Sequence, residues 1–124
     1  MTDLSFCTVD GYRLAYRRSG RGRPVVLIHG ITTSSFVWRS VRPVLEGGSD
    51  VIALDLLGCG GSDLSLDADY SITAQAELVA GVIRELGVYP CQLVGHDIGG
   101  GIPQIDEPGW VARHLQGNFG GFSA

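Results

Sequence analysis

Residues 95–99 read Gly-His-Asp-Ile-Gly, with a potential nucleophile, Asp97, between two glycines. A short apolar run (Cys91, Leu93, Val94) leads into it and Gly100 follows it. A strand that turns sharply into a helix strains the central residue and thrusts its side chain clear of the sheet. Glycines suit the flanking places, Gly95 and Gly99, because a side chain there would collide with the neighbouring strand and helix. At such a helix start the backbone N–H groups of Ile98 and its successors favour negative charge on Asp97. An ionised Asp can attack carbon. The competing account is a plain strand-to-loop turn whose Asp caps the next helix.

Other elements must hold that turn in place. Phe6–Val9 and Tyr12–Arg17 alternate around Asp10-Gly11, which predicts a β-hairpin. Pro24–Ile28 is a continuous apolar run, as expected of a parallel strand covered on both faces. It leads into His29-Gly30 and a hydroxyl-rich loop, Ile31 to Ser35. A helix is expected from Phe36 to Glu46, capped by Ser34 or Ser35, with Phe36, Val37, Val41, Val44 and Leu45 as its buried stripe and Pro43 distorting its last turns. Asp50–Leu54 reads as a second parallel strand, and Asp55 to Asp63, with Gly58, Gly60 and Ser62, as a glycine-rich loop. Ala74, Leu78, Val79, Val82, Ile83 and Leu86 recur at helical spacing before Gly87, which predicts a helix opening near Tyr70. Cys91–Val94 is the third parallel strand.

Strand, helix, strand, helix, strand implies right-handed crossovers and a mostly parallel α/β sheet with an N-terminal antiparallel hairpin. Ligands in such sheets bind beyond the carboxyl ends of the strands, where His29-Gly30, Asp55 and Asp97 all fall. The pattern lapses afterwards. Pro103 and Pro108-Gly109 cut the helix after Asp97 to roughly two turns, and Gln116 to Ala124 reads as loop. The expected organisation is a partial core over 1–102 and an atypical, poorly ordered tail over 103–124.

Composition narrows the class. The chain has 124 residues, 44% of them hydrophobic, and a formal net charge of -4. That is enough for one domain with a real core. All nine basic residues are Arg, and only the Arg17 to Arg23 stretch clusters them; it reads as a solvated hairpin end, so no nucleic-acid footprint is expected. No apolar run reaches the roughly 20 residues of a membrane span, and the N-terminus has no secretory leader pattern. Cys7, Cys59 and Cys91 form no C-x-x-C pair and read as apolar fillers in a reducing, cytoplasmic setting. No His pair has ligand spacing, so neither metal nor cofactor is expected.

The order His-Gly-Ile-Thr-Thr-Ser-Ser-Phe-Val-Trp, then Asp-Leu-Leu-Gly-Cys-Gly-Gly-Ser-Asp, then Gly-His-Asp-Ile-Gly-Gly resembles the α/β-hydrolase superfamily over about residues 5–102. It is most similar to the branch with an Asp nucleophile, the epoxide hydrolases and haloalkane or haloacetate dehalogenases. The resemblance implies Asp97 as nucleophile and the backbone N–H groups of Ile31 and Ile98 as oxyanion hole. It gives His29, Gly30, Asp55, Gly58, Gly60, Ser62, Gly95, His96, Gly99 and Gly100 structural roles in the loops and elbow. Many haloalkane dehalogenases carry Asn and Trp where Ile31 and Ile98 stand. Epoxide hydrolases commonly carry Pro at the place of Thr32 and Trp at that of Ile98. The subfamily therefore stays open.

The implied function is hydrolysis of an epoxide, alkyl halide or related small molecule through an alkyl ester on Asp97. In the family a later His with an acidic partner activates the water. After Asp97 this sequence offers only His114, Asp106 and Glu107, at spacings that match no part of the family pattern. The expectation is an N-terminal part, truncated after the elbow and inactive alone. The alternative is a non-catalytic module that binds a ligand or partner at the rim. With the outer neighbours of Cys91–Val94 missing, self-association through the exposed sheet edge is expected.

Overall fold

The structure, a computed structural model, describes residues 4–29 and 34–95, together with the backbone of 119–123. The described residues form a six-stranded sheet. Its strands are β1 (Ser5–Val9), β2 (Tyr12–Ser19), β3 (Arg23–Ile28), β4 (Ser49–Leu54), β5 (Cys91–Gly95) and β6 (Phe119–Ser123), in the spatial order β1-β2-β4-β3-β5-β6. β1 and β2 pair antiparallel through Asp10-Gly11, both with positive φ, which suits the right-handed twist of a hairpin. β2 joins β4 antiparallel, while β4, β3, β5 and β6 run parallel. This is a mostly parallel α/β sheet with an N-terminal antiparallel hairpin, as the sequence implies.

β3 and β4 are apolar from Val25 to Ile28 and from Val51 to Leu54, where both faces are covered. Val26, Ile28, Ile52, Leu54 and Leu93 point to one face, into the larger core with the helix α2 (Ile72–Leu86). Val25, Leu27, Val51 and Ala53 point to the other, against Trp38. Successive side chains alternate faces, so two cores consume the last four positions of β3 and of β4. α2 begins at Ser71, whose Oγ accepts from the Ala74 N–H, and ends at Gly87 in the left-handed region (φ 64°).

Two expectations are corrected. The helix predicted over 36–46 is instead a 3-10 turn, Ser35–Trp38, followed by a single α-turn, α1 (Arg42–Leu45). Pro43 can sit only in a first helical turn, so the α-helix starts there rather than running through. The i→i+3 bonds Arg39 N–H to Phe36 O and Val41 N–H to Trp38 O tighten the segment before it. This winding turns Trp38 inward and leaves Phe36, Val37, Val41 and Val44 in solvent, Val44 at 80% exposure.

The second correction concerns the tail. Phe119–Ser123, expected as loop, is a strand that pairs with β5 over its full length. β6, not β5, is therefore the sheet edge on that side. A Gly-Gly centre weakens intrinsic strand preference, but an open parallel edge at β5 supplies the hydrogen-bond partners. Residues 103–118 of the proposed tail lie outside the described residues.

Candidate active site

Register brings the strand ends level. Ile28 is opposite both Leu54 and Gly95, and Gly95 is opposite Ser123, so β3, β4, β5 and β6 stop at one rim. β3 hands over there to His29 and β4 to Asp55, while β5 ends at Gly95, the residue before His96 and Asp97 in the sequence. Gly30, Ile31, His96, Asp97, Ile98, Gly99 and Gly100 lie outside the described residues.

His29 is fully buried, and its Nε2 accepts from the Leu56 N–H at 2.9 Å. Acceptance at Nε2 puts the proton of the neutral ring on Nδ1. That is a structural use of imidazole: the ring joins the end of β3 to the exit of β4.

Asp55 is 1% exposed, and every polar group it has is engaged. Oδ1 accepts from the Ser35 N–H at 2.6 Å and Oδ2 from the Gly61 N–H at 3.0 Å. Its backbone N–H donates to Ala15 O at 2.8 Å, and its carbonyl accepts from Ser62 Oγ at 2.6 Å. Ser62 Oγ in turn accepts from the Ala15 N–H at 2.8 Å. Buried carboxylates persist only when donors satisfy them, as here. The glycines follow from the same packing. Gly60 has φ 51°, and a Cβ on it would meet the Asp55 carboxylate. Gly58 has φ 84°, and a Cβ there would lie 2.8 Å from the Tyr70 ring. The Tyr70 hydroxyl is tied to Ser65, accepting from its N–H and donating to its carbonyl.

Sequence reasoning misses two contributors. Gln75, on α2, uses Oε1 and Nε2 to hold the Leu57 N–H and C=O at 3.3 and 3.0 Å. A buried Gln within an apolar stripe was the available signal. Arg17, read as part of a solvated end, donates from Nη1 to Ser35 Oγ at 2.7 Å. Only the register that sets Arg17 opposite Ala53, near the end of β4, makes that contact possible, so no local pattern foretells it.

Burial favours the neutral form of two thiols. Burial raises the Cys59 thiol pKa, and the Asp55 charge raises it further. Burial pushes that of Cys91, at the start of β5, up to about 12. Among the described residues, no group of three or more His, Cys, Asp or Glu side chains could hold a metal ion, and no helix is long and apolar enough to cross a membrane.

Comparison with known proteins places this geometry. Residues 23–103 match the family model for the alpha/beta hydrolase fold. An uncharacterized protein of Mycobacterium tuberculosis is 43% identical over 99 residues, covering 80% of this chain and 29% of the relative. A soluble epoxide hydrolase of Corynebacterium sp. is 36% identical over 94 residues, covering 76% of this chain and 32% of the relative. A haloalkane dehalogenase crystal structure from Bradyrhizobium elkanii superposes with a TM-score of 0.76 at 35% identity, covering 81% of this chain and 34% of that one. The chain thus spans about a third of the length of these relatives.

Proposed function

This chain belongs to the α/β-hydrolase fold family, and on that premise we propose that it acts through Asp97 as a carbon nucleophile on an epoxide, alkyl halide or related small molecule. The observation that carries the proposal is the end of β5 at Gly95, the first glycine of Gly-His-Asp-Ile-Gly, level with the ends of β3 and β4. A strand stopping at that glycine on the shared rim is what an elbow requires. Similarity to a soluble epoxide hydrolase and to a haloalkane dehalogenase supports attack at carbon.

In the proposed reaction an Asp97 carboxylate oxygen bonds to the substrate carbon. The C–O bond of the epoxide, or the C–X bond of the halide, breaks and its electron pair leaves with oxygen, which takes a proton from water, or with halide. The backbone N–H groups of Ile31 and Ile98 are proposed to hold one oxygen of the Asp97 carboxylate while the other attacks, and to stabilise the oxyanion that forms when water later attacks the ester carbonyl. Water activation requires a His and an acid, which the family supplies from later strands and which no residue assigned here provides. The 124-residue polypeptide is thus proposed to alkylate once and stop. Three unpaired thiols suit a cytoplasmic setting. The test is incubation with a reactive epoxide and intact-mass measurement, beside Asp97→Asn. A substrate-sized mass gain in the parent and none in Asp97→Asn supports the proposal; equal gain in both refutes it.

A further inference from the structure

We propose that Asp55 is a positioning residue for the reaction: together with its neighbour Leu56 it clamps both flanks of the four-residue connection 30–33 at the rim. One flank is His29, whose Nε2 takes the Leu56 N–H. The other is Ser35, whose N–H is taken by Asp55 Oδ1. Two consecutive residues at the exit of β4 therefore fix the segment where it leaves β3 and where it enters the 3-10 turn. The chemical consequence rests on the reading above, in which Ile31, within that segment, donates to the Asp97 carboxylate and so orients it for attack.

A carboxylate is the group this place requires. Oδ1 and Oδ2 receive N–H donors from opposite sides, Ser35 and Gly61. Asn has one acceptor oxygen and would turn an NH2 group toward one of those N–H donors. Because Asp55 is 1% exposed, water cannot readily replace the lost partner. The absence of room for a Cβ at Gly60 keeps the loop drawn tightly around the same carboxylate. Arg17 steadies the Ser35 side by donating to its Oγ. Gln75 provides the contrast. It is buried and twice bonded to the same loop at Leu57, but neither of those bonds involves residues 29–35.

The test compares Asp55→Asn and Gln75→Ala by amide exchange and by single-turnover alkylation with an epoxide, both at temperatures where each variant is folded. Asp55→Asn is expected to speed exchange in the 30–35 segment at least roughly tenfold and to slow adduct formation roughly 10- to 100-fold. Gln75→Ala is expected to leave exchange in the 30–35 segment within about twofold, although it loses comparable buried bonds. Unchanged exchange in Asp55→Asn, or an equal speeding of exchange at 30–35 in Gln75→Ala, overturns the positioning role. If the parent does not alkylate, the reading of Asp97 fails, and the exchange comparison alone decides the clamp. Should Asp55→Asn not fold, Arg17→Met decides it instead by the same exchange readout. A several-fold faster exchange at 34–35 sustains the clamp, and parent-like exchange there overturns it.

Discussion

Gly81 lies in the middle of α2, where helix propensity alone favours replacement by Ala by up to about 1 kcal/mol. The packing opposes that gain. A Cβ at Gly81 would collide with Cγ1 of Val9 on β1 and lie 3.3 Å from its Cγ2. Val9 is buried and β-branched, so its χ1 is restricted and its side chain gives way only at a cost. Overpacking of this kind costs about 1–3 kcal/mol, so Gly81→Ala is expected to be destabilising by about 1–2 kcal/mol net. At this chain length that corresponds to a fall in Tm of about 4–8 °C. Val9→Ala removes the colliding methyls, and on that background Gly81→Ala is expected to be neutral or stabilising, a coupling of about 1–3 kcal/mol. Urea denaturation of the four proteins, read by circular dichroism, measures the cycle. If Gly81→Ala stabilises the parent, or if the two changes are additive, the seating of α2 on the hairpin is not as described.

Other expectations concern capping and thiols. Ser71→Ala removes the Oγ that accepts the Ala74 N–H and is expected to cost about 1 kcal/mol in urea denaturation; a change below about 0.3 kcal/mol would count against the cap. Cys91, its pKa raised from 9.0 to about 12 by burial, is expected to label with iodoacetamide more slowly than Cys7 or Cys59, and labelling of Cys91 first would contradict its burial. Because the folded state favours its neutral thiol, its contribution to stability is complete below about pH 9 and is lost as pH rises toward 12. Cys91→Ala is expected to flatten that alkaline limb, and an unchanged pH profile would contradict the linkage.

Much of the architecture is legible because its signals are local. The unbroken apolar runs of β3 and β4 announce strands covered on both faces, and Asp10-Gly11 announces the hairpin. Ser71 and Gly87 bracket α2 within its own sequence. What escapes is decided at a distance. Phe36, Val37, Val41 and Val44 look like a buried face on a regular helix, but a 3-10 turn and Pro43 rotate them outward. β6 has no strand signature in Phe-Gly-Gly-Phe; its conformation is set by the open edge of β5, more than twenty residues earlier. At the site, the sequence points to Asp55 and His29 as loop residues, but not to the fact that Asp55 and Leu56 grip both sides of one connection. Register creates that arrangement by setting Ile28 beside Leu54, and no spacing within either loop encodes it.

The central claim is that Asp97 is a carbon nucleophile. The most direct measurement is peptide mapping of the epoxide-treated polypeptide by tandem mass spectrometry, with the extent of labelling followed over time. The account predicts one ester-linked adduct, on Asp97, approaching but not exceeding one equivalent per chain, with little release of product. Label on Cys7, Cys59 or another carboxylate with Asp97 unmodified, or release of many equivalents of diol, would contradict it.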